Sequence, residues 1–137
     1  MTKIEPYLFA NGRADEMIGF YKHALGAEVP MRMTWGDSPT PNDWPMPAGW
    51  AAKVMHATLT AGNAQLMISD GDSDKPANFN GFRISLALDG EANVRRAFDA
   101  LAVDGSVQMP LSPTFWAPLF GMVTDKFGIG WMIGLNP

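Results

Sequence analysis

Two ionisable residues, His56 and Arg83, could act on or bind a small molecule. Because the unperturbed pKa of histidine is near ~6.5, His56 could serve as a general base or as an oriented hydrogen-bond donor. The alternative is a structural histidine bonded to Ser69 or to backbone. Arg83 could bind a carboxylate or phosphonate through two parallel hydrogen bonds. Its alternative is an internal ion pair with Glu5 or Asp125, although Asp125 opens an Asp-Lys-Phe-Gly turn and is expected to bond the amides of that turn.

The turn between two predicted strands assigns His56 to one face of a sheet. Gly62-Asn63 has the composition of a two-residue hairpin turn, and cross-strand partners in such a hairpin share a face. The predicted pairs are Ala61 with Ala64, Thr60 with Gln65, Thr58 with Met67 and His56 with Ser69. The alternating residues, expected in a helix-packed core, are Ala57, Leu59, Leu66 and Ile68. Since the face of His56 holds most of the polar groups, we expect the binding site there.

Alternation also assigns Arg83 to a face of its predicted strand, Phe82–Leu88. The residues expected in the core are Phe82, Ile84, Leu86 and Leu88. Arg83, Ser85 and Ala87 then point to the opposite face. Because Ser85 and Ala87 are small, the arginine has room to project from the sheet.

Hydrophobic periodicity predicts two helices at equivalent places in the two halves of the chain. Apolar residues recur at helical spacing at Met17, Phe20, Tyr21, Ala24 and Leu25, and again at Val94, Ala97, Phe98 and Leu101. The first helix follows a cap at Asn11-Gly12 and ends at Gly26. The second follows Asp89-Gly90 and ends near Gly105.

The predicted strands complete an order of strand, helix and three strands that occurs twice. They are Ile4–Phe9, Glu28–Trp35, Val54–Thr60 and Ala64–Ser69 in the first half, and Phe82–Leu88, Val107–Leu111, Leu119–Thr124 and Trp131–Leu135 in the second. This order predicts an α+β fold of two βαβββ modules. Module one is expected at 1–70 and module two at 81–137, with a linker at 71–80, within a single domain at 1–137.

Composition limits the partners of the chain. The formal net charge is -4, and the 10 Lys and Arg residues are scattered, whereas nucleic-acid binders need clustered basic residues. The absence of cysteine excludes disulfides, thiolate metal sites and a cysteine nucleophile. No apolar run approaches the ~18 residues of a membrane span, and the first residues lack an apolar signal core. We therefore expect a cytoplasmic protein that binds neither nucleic acid nor a membrane.

The C-terminal segments carry a resemblance to a known family. Thr114-Phe115-Trp116-Ala117 is followed by Phe120-Gly121-Met122-Val123-Thr124-Asp125-Lys126-Phe127-Gly128 and then by Trp131-Met132-Ile133. With Phe20-Tyr21-Lys22 and Leu25-Gly26-Ala27, these segments resemble the PhnB-like branch of the vicinal oxygen chelate superfamily, which holds glyoxalase I, bleomycin-resistance proteins and extradiol dioxygenases. The resemblance implies that each module curls its sheet into half of an open cup, and that the chain forms a homodimer.

The same resemblance implies where a metal would be held. Enzymes of this superfamily carry metal ligands at cup-facing strand positions, which align with Pro6, Met67, Arg83 and Met132. None of these residues is a histidine, aspartate or glutamate. Proline has no ligand atom, a thioether is a poor ligand for hard divalent ions, and arginine does not deprotonate. We therefore expect neither a metal nor another cofactor.

Aromatic side chains extend the predicted binding surface. The irregular segment Gly36–Gly49 contains Trp44 and precedes Trp50, so it is a candidate lid, or else it packs its tryptophans onto the domain or a dimer partner. The motif Thr114-Phe115-Trp116 is expected to rim the cup, so that Phe115 or Trp116 stacks on a planar ligand, with core packing as the alternative. The residues expected to bind the ligand are Arg83, His56, Met67, Ser69, Trp116, Met132 and Trp50.

Two classes of function remain open at the level of sequence. The first is a metal-free protein that binds or sequesters a small molecule, either anionic or aromatic. The second is an enzyme of the glyoxalase or dioxygenase type. It would be a metal-dependent lyase or oxygenase with other ligands, or a metal-free enzyme with His56 as its catalytic residue. The poor metal ligands at the aligned positions favour binding over catalysis.

Overall fold

The computed structural model describes residues 1–39 and 45–137. Its elements are β1 (Tyr7–Phe9), α1 (Ala14–Leu25), β2 (Glu28–Thr34), a 3-10 turn (Trp35–Asp37), β3 (Val54–Ala61), β4 (Ala64–Ser69), β5 (Ile84–Leu88), α2 (Glu91–Ala102), β6 (Ser106–Ser112), β7 (Phe120–Thr124) and β8 (Gly130–Leu135). Every predicted helix and strand is present, which confirms the α+β class and the repeated βαβββ order. Within the described ranges, no helix is long and apolar enough to cross a membrane.

The chain divides into two compact units, Met1–Ala77 and Asn78–Pro137. Each unit holds one four-stranded sheet, of order β1-β4-β3-β2 in unit one and β5-β8-β7-β6 in unit two. In both sheets the first strand pairs parallel with the last, and the other pairs are antiparallel. Neither sheet closes on itself through the described strands. The division between the units falls inside the predicted linker at 71–80.

The β3–β4 hairpin has the predicted register. Ala61 pairs with Ala64, Thr60 with Gln65 and Thr58 with Met67. Helix α1 packs against β2, β3 and β4, and the buried strand residues on that side are Ala57, Leu59, Leu66 and Ile68. We call the opposite side the open face of unit one. His56 lies on it, two residues before Thr58, and is half-buried.

Helix α1 ends as predicted but begins differently. Gly26 is left-handed, with φ 62 and ψ 31, and its N–H donates to the Lys22 carbonyl. At the other end, the N-cap residue is Arg13, whose side chain makes no capping hydrogen bond, and the Asn11 amide donates to the Lys75 carbonyl at 2.9 Å. Instead, the Asp70 carboxylate at the end of β4 accepts the N–H groups of Gly12 and Ala14, both at 2.8 Å. The predicted cap at Asn11-Gly12 is therefore wrong, because the capping group comes from a distant part of the chain.

Unit two buries the predicted stripe of α2 against its sheet. The buried helix residues are Val94, Ala97, Phe98 and Leu101. On the sheet, Trp131 and Ile133 are buried on the helix side, and Gly121 leaves room for Phe98, whose Cε2 lies 2.9 Å from an ideal Cβ at Gly121. We call the other side the open face of unit two. By alternation it carries Ser85, Met122, Met132 and Gly130.

The position of Phe82 contradicts its predicted place in the core. Strand β5 begins at Ile84, which pairs with Trp131, and the Phe82 side chain is 47% exposed. Phe82 follows the positive-φ residue Gly81 and precedes the first paired residue of the strand. Without a neighbouring strand at that point, alternation does not place its ring against the helix.

Candidate functional site

His56 lies between two hydroxyl groups on the open face of unit one. Its Nδ1 is 2.8 Å from the Tyr7 phenol oxygen, and its Nε2 is 3.1 Å from Oγ1 of Thr58. Strand pairing brings these side chains together, because Tyr7 and Thr58 both pair with Met67, on either side of it. A neutral imidazole donates at one nitrogen and accepts at the other, and a hydroxyl serves either role. Both ring nitrogens therefore have partners.

Tyr7 is a candidate site residue that sequence reasoning missed. Burial raises the pKa of its phenol, and a hydrogen bond with Ser69 offsets part of that rise. The phenol therefore keeps its proton at neutral pH and is suited to donate a hydrogen bond rather than to act as a phenolate base. The alternation of side chains along a strand could have identified it. Leu8 is 3% exposed and belongs to the core, so its neighbours Tyr7 and Phe9 point to the opposite face.

Apolar surface surrounds this hydrogen-bonded group. The Tyr7 ring centroid lies 5.3 Å from that of Phe9 and 5.5 Å from that of His56. Phe9 is 54% exposed, and Met31 and Met67 pair with Thr58 from its two sides. The open face of unit one thus offers a polar centre inside an aromatic and thioether surface. Such a surface suits a small ligand that is partly apolar.

Ser69 is the buried residue of this face, where it pairs with Phe9. It is buried, its hydroxyl accepts the Gly71 N–H at 2.9 Å and donates to the Val54 carbonyl at 3.4 Å. Its hydrogen bond with Tyr7 connects it to the site. Ser69 is thus placed to support Tyr7, and its direct contact with a ligand stays a prediction.

Arg83 lies across the sheet of unit two. Its Nη1 donates to the carbonyl oxygens of Val123 at 3.2 Å and Trp131 at 3.4 Å, and its Nη2 donates to Oε1 of Gln108 at 3.3 Å. All three partners are neutral. Among the residues that the structure describes, Arg83 forms no ion pair within its own unit. Within its unit, the half-buried guanidinium thus has only neutral hydrogen-bond partners among the described residues.

Asp125 is held by the turn that follows it and does not pair with Arg83. The carboxylate is 3% exposed, and its Oδ1 accepts the N–H groups of Phe127 at 2.9 Å and Ile129 at 3.1 Å. Its Oδ2 accepts the indole N–H of Trp131 at 2.9 Å. The predicted structural role of Asp125 is confirmed. The other carboxylate considered for Arg83, Glu5, belongs to unit one.

Trp116 and Met132 are both placed in unit two at or near its open face. Trp116 is 56% exposed, and its ring packs edge-on against Phe120, with centroids 5.3 Å apart. A turn closed by the Thr114 N–H and the Ala117 carbonyl, 3.0 Å apart, presents this ring. Met132 pairs with Ser85 on one side and Met122 on the other. Stacking of Trp116 on a ligand stays a prediction.

Trp50 is anchored to unit one by its indole nitrogen. The residue is 9% exposed, and Nε1 donates to the Gly71 carbonyl at 2.7 Å. Lys53 donates to the Gly12 carbonyl at 2.9 Å and lies over the Trp50 ring. These contacts fix the chain just before β3. Trp44, the centre of the predicted lid, lies with the rest of 40–44 outside the described residues, so the lid and a ligand contact of Trp50 stay predictions.

The aligned metal positions do not fit a hard divalent ion. In unit one, Met67 pairs with Tyr7, which follows Pro6, and in unit two Met132 pairs with Ser85, two residues after Arg83. The aligned residues offer two thioethers and a guanidinium, and proline has no ligand atom, so this set is poor in ligands for such ions. Over residues 1–39 and 45–137, no group of three or more His, Cys, Asp or Glu could hold a metal.

Comparison with known proteins agrees with this fold. Residues 3–133 match the family described as the Glyoxalase/Bleomycin resistance protein/Dioxygenase superfamily. Protein YjdN of Escherichia coli K12 is 32% identical over 141 residues, which cover 96% of this chain and 94% of YjdN.

Two solved structures extend the comparison. Protein PA1353 from Pseudomonas aeruginosa is 43% identical, with a TM-score of 0.83 and coverage of 99% of this chain and 98% of its own. The PhnB protein from Bacillus cereus is 25% identical, with a TM-score of 0.77 and coverage of 98% and 100%.

The open sheets, each of four strands with one helix, define an α+β protein built from a repeated βαβββ unit. The chain belongs to the glyoxalase/bleomycin resistance/dioxygenase superfamily and is a PhnB-like member of it.

Proposed function

We propose that this protein binds or sequesters a small molecule without the help of a metal, and that Arg83 anchors an anionic group of that molecule. The observation that carries the proposal is the guanidinium of Arg83, whose hydrogen-bond partners in unit two are all neutral. A half-buried cation without a counter-charge is costly, and an anionic ligand removes that cost. The proposal includes two further properties: the protein is cytoplasmic, and it forms homodimers.

The other expected ligand contacts have distinct roles in this proposal. In unit one, His56 and Tyr7 offer hydrogen bonds to a polar group, next to the Met67 thioether. In unit two, Trp116 offers an exposed ring that can stack on an aromatic group, and Met132 lies on the open face. Ser69 and Trp50 are buried residues of unit one.

A second candidate function is metal-free acid–base catalysis by His56. It is favoured by one observation, the hydrogen bonds that the two ring nitrogens share with the hydroxyls of Tyr7 and Thr58, at 2.8 and 3.1 Å. Such a chain orients the imidazole and supplies a proton path through two hydroxyls. In this version, a hydroxyl of Tyr7 or Thr58 receives a proton from the substrate and passes its own proton to the ring nitrogen of His56, or the same two transfers run in reverse.

The proposal is tested by thermal melts of wild type and Arg83→Met with a panel of small anions and matched neutral compounds. We expect anions to raise the melting temperature of wild type only, and Arg83→Met to fold normally. Loss of the contact should weaken anion binding by about 2–5 kcal/mol. The matched control is Arg95→Met, because Arg95 forms an exposed i,i+4 pair with Glu91. A destabilised Arg83→Met, with no anion-dependent shift in wild type, assigns Arg83 a structural role and contradicts the proposal.

A further inference from the structure

Nε and Nη2 of Arg83, the two nitrogens through which other arginines of this chain hold carboxylates, have no carboxylate partner among the residues described. Its three hydrogen bonds use Nη1 twice and Nη2 once, and Nε has no acceptor among the residues described. In each of three exposed ion pairs, Nε and Nη2 of an arginine both donate to one carboxylate. These pairs are Arg13 with Glu16, Arg32 with Asp15, and Arg95 with Glu91. The edge formed by Nε and Nη2 is the one that matches two carboxylate oxygens.

Gly130 gives the Arg83 side chain the space to lie across β8. An ideal Cβ at Gly130 would lie 2.9 Å from Cγ, 3.1 Å from Nη1 and 3.3 Å from Cζ of Arg83. The backbone of Gly130 is not in the left-handed region, so no conformational need for glycine exists there. The requirement is space for the arginine. An alanine would push the side chain away from the Val123 and Trp131 carbonyls.

Gln108 fixes the other side of the guanidinium. Its Oε1 accepts from Nη2 of Arg83 and from Oγ1 of Thr124, the latter at 2.9 Å. Its Nε2 donates to Oγ of Ser106 at 2.9 Å. Because both ends of the amide have partners, its orientation is defined, and the oxygen faces the arginine.

We propose that Gly130 and Gln108 position Arg83 so that its Nε–Nη2 edge binds a carboxylate through two parallel hydrogen bonds. This inference rests on the proposed function and names the chemical class that the anchor recognises. Nη1 is held by two backbone carbonyls and one hydrogen of Nη2 by Gln108, so the guanidinium is oriented before the ligand arrives. A pre-oriented guanidinium loses less entropy on binding than a free one. Gly130 and Gln108 are thus positioning residues, and Arg83 is the contact.

The first test follows the Nε–H resonance of Arg83 by nitrogen–proton correlation NMR while the full-length protein is titrated with benzoate. We expect a saturable shift of this resonance and no shift of the Arg95 resonance. Benzamide, which has the same ring without the charge, should leave both resonances unchanged. The carboxylate assignment is overturned if benzoate leaves Arg83 unmoved, if benzamide moves it equally, or if inorganic phosphate moves it and benzoate does not.

The second test compares Gly130→Ala with Gly134→Ala. Both glycines lie on the open-face side of β8, but the nearest atoms to an ideal Cβ at Gly134 are 3.7 Å away, an ordinary contact. Gly130→Ala should weaken benzoate binding about tenfold or more, and Gly134→Ala should not change it. Gln108→Ala should also weaken benzoate binding. If Gly130→Ala does not fold, Gln108→Ala alone tests whether Arg83 needs positioning residues. Equal affinities in all the variants overturn the positioning role.

A double substitution separates positioning from general damage. Gly130→Ala should lower the melting temperature in the presence of Arg83 and should have little effect in Arg83→Ala, where Cγ is gone. An equal decrease in both backgrounds contradicts the claim that the arginine occupies the space over Gly130. A shift of the Arg83 resonance by inorganic phosphate, without any shift by benzoate, leaves the proposed function standing and overturns only this inference. Stoichiometric metal with turnover contradicts the proposed function, while the benzoate result still decides this inference.

Discussion

Tyr7 and His56 show how a site residue gains its properties from its neighbours. Tyr7 is one position from a buried leucine, in a strand of three residues, and its phenol meets an imidazole that comes from β3. Burial raises the phenol pKa and keeps it protonated. At neutral pH the Tyr7 phenol is therefore uncharged and available for hydrogen bonds. In unit two, Arg83 contributes a positive charge, and its three hydrogen-bond partners are neutral.

Tyr7→Phe should change how stability depends on pH in alkaline solution. The folded-state pKa of Tyr7 lies above the unfolded value of 10.0, so its contribution is complete below that value and is lost as pH rises through the folded pKa. Wild type should therefore lose stability above pH ~10 more steeply than Tyr7→Phe. Urea unfolding at a series of alkaline pH values measures this difference. Parallel curves for the two proteins would show that Tyr7 titrates alike in the folded and unfolded states.

At the scale of elements, one carboxylate joins three segments of unit one. Asp70 follows β4, and its oxygens accept the N–H groups of Gly12, Ala14 and Val54, each at 2.8 Å. The residue is 1% exposed. Two of these donors lie at the start of α1, where the helix dipole favours a negative charge. Asp70 thus connects the helix to the two central strands that carry His56 and Met67.

Asp70→Ala should be strongly destabilising. It removes the acceptor of three backbone donors, two of them buried, so we expect a loss of about 3 kcal/mol or more in the free energy of unfolding. The control is Asp72→Ala, an exposed residue two positions later, for which a change within about 0.5 kcal/mol is expected. Chemical denaturation measures both. Similar small losses in the two variants would contradict the joining role of Asp70.

The elements that sequence predicted best are those defined by local signals. The Gly62-Asn63 turn set the register of β3 and β4, and Gly26 set the end of α1, because turn chemistry and a left-handed residue act over a few positions. The errors involve distant partners. Asp70 reaches α1 from 56 residues away, and the parallel pairing of Tyr7 with Met67 joins segments that no local pattern connects. Phe82 was misplaced because the pairing of β5 begins only at Ile84.

The same distinction between local signals and distant partners applies to the candidate site. Strand alternation placed His56 on the correct side of its sheet and Met67 beside it, since period-two patterns are readable within one strand. The bonds of His56 to Tyr7 and of Arg83 to Gln108 span 49 and 25 residues and depend on the order of strands in each sheet. That order follows from the fold as a whole. The sequence around Gly130 contains no pattern that predicts its role, which is to leave space for the Arg83 side chain.

At the scale of the whole molecule, exposed aromatic surface favours a homodimer. Phe115 is 97% exposed, and Trp116 and Phe9 are exposed by more than half. Apolar surface of this kind is commonly covered by a partner, and two-fold dimers are the commonest assembly. We expect light scattering to give twice the chain mass of 14.9 kDa. A monomer at micromolar concentration, with stability unchanged on dilution, would exclude the dimer.

Metal analysis of protein purified without chelators tests the central claim most directly, because it separates metal-free binding from the metal-dependent chemistry of the superfamily. The groups at the aligned positions, Pro6 and Met67 in unit one and Arg83 and Met132 in unit two, are poor ligands for hard divalent ions. Mass spectrometry of the elements should therefore find nickel, zinc, iron and manganese far below one atom per chain. One metal atom per chain, together with turnover of a hemithioacetal or a catechol, would contradict the account.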